Sequence, residues 1–102
     1  FDRALEMEPG DAGLKNAVAY SMAEAGVELG RAEALSRATL EEDPQSPDFL
    51  DTLGWVLCRQ GRIEEGLDQI EAALDGGGEG IPEIEEHLEG CVDAAVEGYP
   101  LR

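Results

Sequence analysis

A chain of 102 residues allows one domain, and its composition, 42% hydrophobic but only 5% aromatic, favours helices over sheets. Asp and Glu number 24 against seven Lys and Arg, and a net charge of −17 argues against binding nucleic acid or an anionic membrane surface. No apolar run approaches the ~20 residues needed to cross a bilayer.

Lys15 is the only lysine. The acidity admits three readings that can coexist: a solvated surface, adaptation to high salt, and a basic partner. The first residue is Phe1, not Met, so the chain reads as a piece of something longer. Cytoplasm is the expected location unless a signal in the missing part directs it to the cell envelope. Cys58 and Cys91 fall inside expected helices, and two cysteines are no disulfide scaffold; they are expected as reduced thiols.

Residues 1–8 (FDRALEME) read as the end of a helix that Pro9 and Gly10 stop. A helix over 13–25 carries Leu14, Val18, Ala19 and Met22 on one face. A turn at 26–30 leads to a second helix over 31–42, with Ala32, Leu35, Thr39 and Leu40 inward. After a break at 43–45, Ser46 can N-cap the next helix, and Pro47 suits its first turn. Leu50, Leu53, Gly54 and Leu57 share its inner face, and Gly61 ends it by turning through φ > 0. Ile63, Leu67, Ile70 and Leu74 make the stripe of the following helix. A glycine-rich loop (DGGGEG, 75–80) precedes a last helix over 82–96, with Ile84, Leu88, Cys91, Val92 and Ala95 at helical spacing. Residues 98–102 are a tail. None of these helices is long enough to be stable alone, so adjacent ones must pack as antiparallel hairpins.

The chain matches itself when shifted by about 35 residues. Leu5 then falls on Leu40, Pro9 on Pro44, and Val18, Ala19, Tyr20 and Met22 on Leu53, Gly54, Trp55 and Leu57. Gly26 falls on Gly61, Leu53 on Leu88, and Leu57 on Val92. In the second helices Ala32 matches Gly66 and Leu40 matches Leu74, one residue closer. Small residues at Ala19, Gly54, Ala32 and Gly66 let paired helices approach closely.

These residues resemble the tetratricopeptide (TPR) repeat, whose period is about 34 residues. The pattern reads Leu53, Gly54, Leu57, Gly66, Ile70, Ala73 and Leu74 in one unit, and Val18, Ala19, Met22, Ala32, Leu40 and Pro44 in the preceding one. Gly66 replaces the usual alanine, Ser36 and Thr39 replace larger or apolar residues, and Gly78 stands where a proline would close the repeat, departures that suggest loose local packing and not another fold. The resemblance implies an all-α, right-handed solenoid of antiparallel hairpins. Residues 1–9 would end a preceding repeat, 10–45 and 46–80 would be two repeats, and 81–97 the first helix of a further repeat or a capping helix.

The resemblance also implies a concave face lined by the first helix of each hairpin. Its expected exposed positions are Asn16, Tyr20 and Glu24, then Asp51, Thr52, Trp55 and Arg59, then Glu86, His87 and Gly90. Tyr20 and Trp55 are equivalent and would lie side by side, either as aromatic anchors for a partner or as packing against neighbouring helices. Family members that clamp a partner's terminal carboxylate use basic residues on this face. Arg59 alone fits that role here, so a basic or apolar-basic peptide suits the face better.

Chemistry is nearly absent from the sequence. Glu83, His87 and Cys91 share one helix face at four-residue spacing, but a structural zinc site wants four ligands. The glycine-rich loop follows a helix and lacks the lysine of a phosphate-binding loop. No cofactor, metal or catalytic set is expected. The reading is a protein–protein interaction module, monomeric in isolation and part of a larger protein, that binds a peptide or protein on its concave face; the alternative is a structural spacer without its own ligand.

Overall fold

The structure, a computed structural model, describes residues 11–77 and 80–96, with side-chain surroundings as far as residue 93. The expected helix end at 1–8 with its stop at Pro9 and Gly10, loop positions Gly78 and Glu79, the Ala95 side chain and the tail at 98–102 lie outside the described residues.

Among the described residues five helices follow one another: α1 (Ala12–Ala25), α2 (Leu29–Glu42), α3 (Pro47–Arg59), α4 (Ile63–Asp75) and α5 (Pro82–Val96). No strand occurs among the described residues. Asp11 caps α1 by accepting from the Leu14 backbone N–H at 3.1 Å, and Gly26 ends it at φ +70°. Helix α2 begins two residues before the expected Arg31, because Glu28 takes the left-handed turn (φ +47°) and leaves Leu29 free to start the helix. Ser46 caps α3, its Oγ accepting from the Phe49 N–H at 3.4 Å with Pro47 in the first turn. Gly61 then turns the chain at φ +89°.

The fold is a TPR-like stack of antiparallel hairpins. Helices α1 and α2 form one pair and α3 and α4 the next; α3 also packs on both α1 and α2, and α5 on both α3 and α4. Helices α3 and α4 cross closely. A Cβ on Gly54 would come within 2.7 Å of the Gly66 carbonyl oxygen and 2.5 Å of the Ile70 side chain. A Cβ on Gly66 would run into Cys58 Sγ and come within 2.7 Å of the Gly54 carbonyl oxygen. Gly66 is thus a tight fit and not a loose one, against the slack expected where it departs from the repeat pattern.

Two apolar clusters make the core. Val18, Ala19, Met22, Ala23, Ala32 and Val56 form the first; Cys58, Ile70, Ala73, Ile84 and Cys91 form the second, and Trp55 touches both. Ser36 and Thr39 are fully buried, and the Thr39 hydroxyl donates back to the Ser36 carbonyl at 2.6 Å, as such residues do within helices. Val92, expected on the inner stripe of α5, is 41% exposed.

Cys58 and Cys91 are not separate thiols. They are joined in a disulfide that ties α3 to α5. The packing of α5 back on α3 brings their Cα atoms to 5.8 Å, inside the range a bridge requires.

Residues of the α3–α4 turn stitch the two hairpins at one end. Arg59 Nε donates to the Ala23 carbonyl at 3.0 Å and Gln60 Nε2 to the Leu29 carbonyl at 3.2 Å. Arg62 reaches Glu33 at 2.8 Å and Glu65 at 2.7 Å. Burial pushes the Glu33 carboxyl up, but the bonds from Arg37 and Gln60 and the Arg62 charge outweigh it and hold it low.

Candidate functional site

Helices α1 and α3 and the start of α5 enclose a groove of about 470 Å³ on one face of the stack. Asn16 and Tyr20 come from α1, Asp48, Asp51 and Thr52 from α3, and Glu83 from α5. Helical periodicity puts Asn16 and Tyr20 one turn apart on α1, and Asp48 and Asp51 one turn apart on α3. Asp48 and Glu83 stand in the first turns of their helices, where the helix dipole favours carboxylates. The walls are therefore acidic.

Behind the groove lies a buried polar cluster. His87 Nδ1 sits 2.9 Å from both carboxylate oxygens of Asp51, and both side chains are 7% exposed. Tyr20 Oη lies 3.5 Å from His87 Nε2, and Glu24 Oε1 lies 3.8 Å from the same nitrogen. The Trp55 ring stacks on His87 with centroids 4.5 Å apart and planes 19° apart. Small Gly90 makes room for that indole; a Cβ there would come within 3.3 Å of the ring.

Burial pulls His87 down, but the hydrogen bond and charge of Asp51, with Glu24 and Glu83, outweigh it and raise its pKa. Burial raises Asp51 by more than the His87 bond lowers it. The pair as a unit holds its proton tightly. Tyr20 is pushed up to about 12, first by burial and then by Glu24, so it stays a neutral hydroxyl. Asn16 Oδ1 and Trp55 Nε1 are buried without a hydrogen-bond partner among the described residues.

The expected concave-face residues divide into groups. Asn16, Tyr20, Asp51 and Thr52 do meet in the groove. Asp51 and Thr52 are buried, and so is His87, where exposed positions were expected. The reason is that α5 folds over them and supplies His87 as the partner of Asp51. Trp55 is half-buried and stacks on His87, so its ring is separated from Tyr20's by an imidazole that also contacts Tyr20 at 5.6 Å between centroids. Arg59 is half-buried and spends its guanidinium on the end of α1. Glu24 and Glu86 are exposed, and neither lines the groove.

Asp48 and Glu83 were missed, although the 35-residue shift places Asp48 on Glu83 and Pro47 on Pro82. The Glu83, His87, Cys91 face does not converge on a metal: Cys91 is in the disulfide and His87 is held by Asp51. Among the described residues no cluster of three His, Cys, Asp or Glu side chains is placed to hold an ion. No helix among them is long and apolar enough to cross a membrane.

Fold and groove together define an array of helical hairpins with an open acidic recess. Over 67 residues, 66% of the chain, it is 31% identical to a TPR repeat-containing protein of Pseudomonas aeruginosa. The chain spans only 11% of that relative's length. No family model matches the chain, and no solved structure does.

Proposed function

We propose that the chain is a TPR segment of a larger protein and serves as a non-catalytic interaction module, holding a basic, partly apolar segment of another protein in its concave groove. The observation that carries this is the recess where Asn16, Tyr20, Asp51 and Thr52 meet Asp48 and Glu83. Tyr20 offers an amphipathic ring for an apolar residue, and the carboxylates offer steering and selection for lysine or arginine. Residues 10–45 and 46–80 are then two repeats, following the end of a repeat at 1–9 and leading into a further first helix at 81–97. Likeness to a relative described as TPR repeat-containing supports this reading.

A structural spacer is the second reading, and the burial of Asp51 and His87 with the half-buried Trp55 favours it, since those residues bind the helices together. The two readings separate on one comparison. A labelled peptide of alternating arginine and leucine is titrated against the protein and two double variants. Asp48→Asn with Glu83→Gln should weaken binding at least fivefold, while Glu64→Gln with Glu71→Gln, the same charge change on exposed α4, should not. Equal losses would mean diffuse attraction to an acidic surface and no groove. Absence of binding leaves the spacer.

A further inference from the structure

Asp51 belongs to two sites at once. Both its carboxylate oxygens lie 2.9 Å from His87 Nδ1. The same residue lines the groove beside Asp48, Glu83 and Asn16. The groups facing His87 come from three helices: Tyr20 and Glu24 from α1, Asp51 and Trp55 from α3, and Glu83 from α5 itself. Asp48 adds its charge at Asp51.

Resting on the groove reading above, we infer that a guanidinium or ammonium group of the partner seats beside Asp51 in competition with the protonated His87, so that docking expels a proton and tightens as pH rises. The imidazolium and the incoming cation share one carboxylate, and two like charges within several ångströms repel in a partly dry recess. The exchange balances: the cation enters, the His87 proton leaves to solvent, and the neutral imidazole keeps its Nδ1–H on Asp51. Linkage makes the effect reciprocal. The factor by which the bound cation weakens proton binding at His87 is the factor by which loss of that proton strengthens cation binding. Tyr20, pushed up to about 12, keeps its proton over this range and does not contribute.

His87 is the only histidine, so its imidazole signal in a nuclear magnetic resonance titration is unambiguous. The probe is the arginine–leucine peptide, whose guanidinium groups stay charged throughout. The His87 midpoint should fall when the peptide is bound, and affinity should rise about five- to tenfold from about pH 6 to about pH 8.5. His87→Gln, which keeps a donor for Asp51 but does not titrate, should flatten that rise. Where this variant does not fold, the wild-type midpoint decides alone. A midpoint that stays or climbs on binding, or an unchanged slope in folded His87→Gln, overturns the coupling while leaving the groove intact. No binding at either pH overturns the groove and the coupling with it.

Discussion

At the scale of single residues, polarity sits where helices meet. The raised His87 is protonated more tightly in the folded protein than in the unfolded chain, so its stabilisation is full below the unfolded value near pH 6.5 and is lost as pH rises through the folded value. Asp51, also raised, acts in the same direction. The urea midpoint should therefore fall between about pH 6 and pH 9, and His87→Gln should remove most of that fall. A midpoint that climbs over this range would mean the pair is not formed. Glu28 is a second case. It holds a left-handed conformation (φ +47°) without a side-chain cap for α2, and pairs only weakly with Arg31 at 4.0 Å. Left-handed backbone costs a residue with a Cβ roughly 1–2 kcal/mol, against a smaller entropic penalty for glycine. Glu28→Gly should raise stability by about 0.5–1 kcal/mol in chemical denaturation, and a loss would mean the Arg31 contact matters more than the strain.

Between helices, the α3–α4 crossing separates two effects by size. Gly66→Ala introduces the alanine that the TPR-like pattern would have there and gains about 1 kcal/mol of helix propensity. It also drives a methyl into Cys58 Sγ and towards the Gly54 carbonyl, and overpacking of this kind costs about 1–3 kcal/mol. The clash should win, and its cost should shrink when Cys58 and Cys91 are both alanine. A stabilised Gly66→Ala would show that the crossing yields easily. The crossing itself was legible in the sequence, because small residues recur at Gly54 and Gly66 within apolar stripes of period 3.6. Gly26 and Gly61 were legible for the same kind of reason, since each closes a stripe. The disulfide was not. The repeat period gives the face a residue occupies but not how far one helix slides along the next, and that offset brings Cys58 to Cys91. His87 was illegible too: a polar residue outside the apolar stripe reads as solvated, and only the pairing with Asp51 makes its burial tolerable. Half of the groove could be read, from Asn16, Tyr20, Asp51 and Thr52. Glu24 and Glu86, expected on the same face, lie outside it, and Asp48 and Glu83 supply carboxylates there instead.

The whole molecule is governed by charge. A domain carrying −17 repels itself, and salt shortens the reach of that repulsion from about 10 Å at 0.1 M to about 3 Å at 1 M. Three of the arginines act near the seam, where Arg37 and Arg62 hold Glu33 and Arg59 holds α1. The melting temperature should rise from low salt to molar potassium chloride. A flat or falling profile would leave the acidity without a role in high-salt adaptation and shift weight to a basic partner.

The link between Cys58 and Cys91 also gives the chain a mechanical character. Their separation of 33 residues closes a loop that contains α4 and the first ten residues of α5. A force applied at the two ends passes from one sulfur to the other and bypasses everything between them. At ~3.3–3.6 Å per extended residue, about 110–120 Å of contour length is withheld until the bond is reduced. Stretched between optical traps, the oxidised chain should lengthen by that much less than the reduced one, so that α4 behaves as slack released by chemistry and not by load.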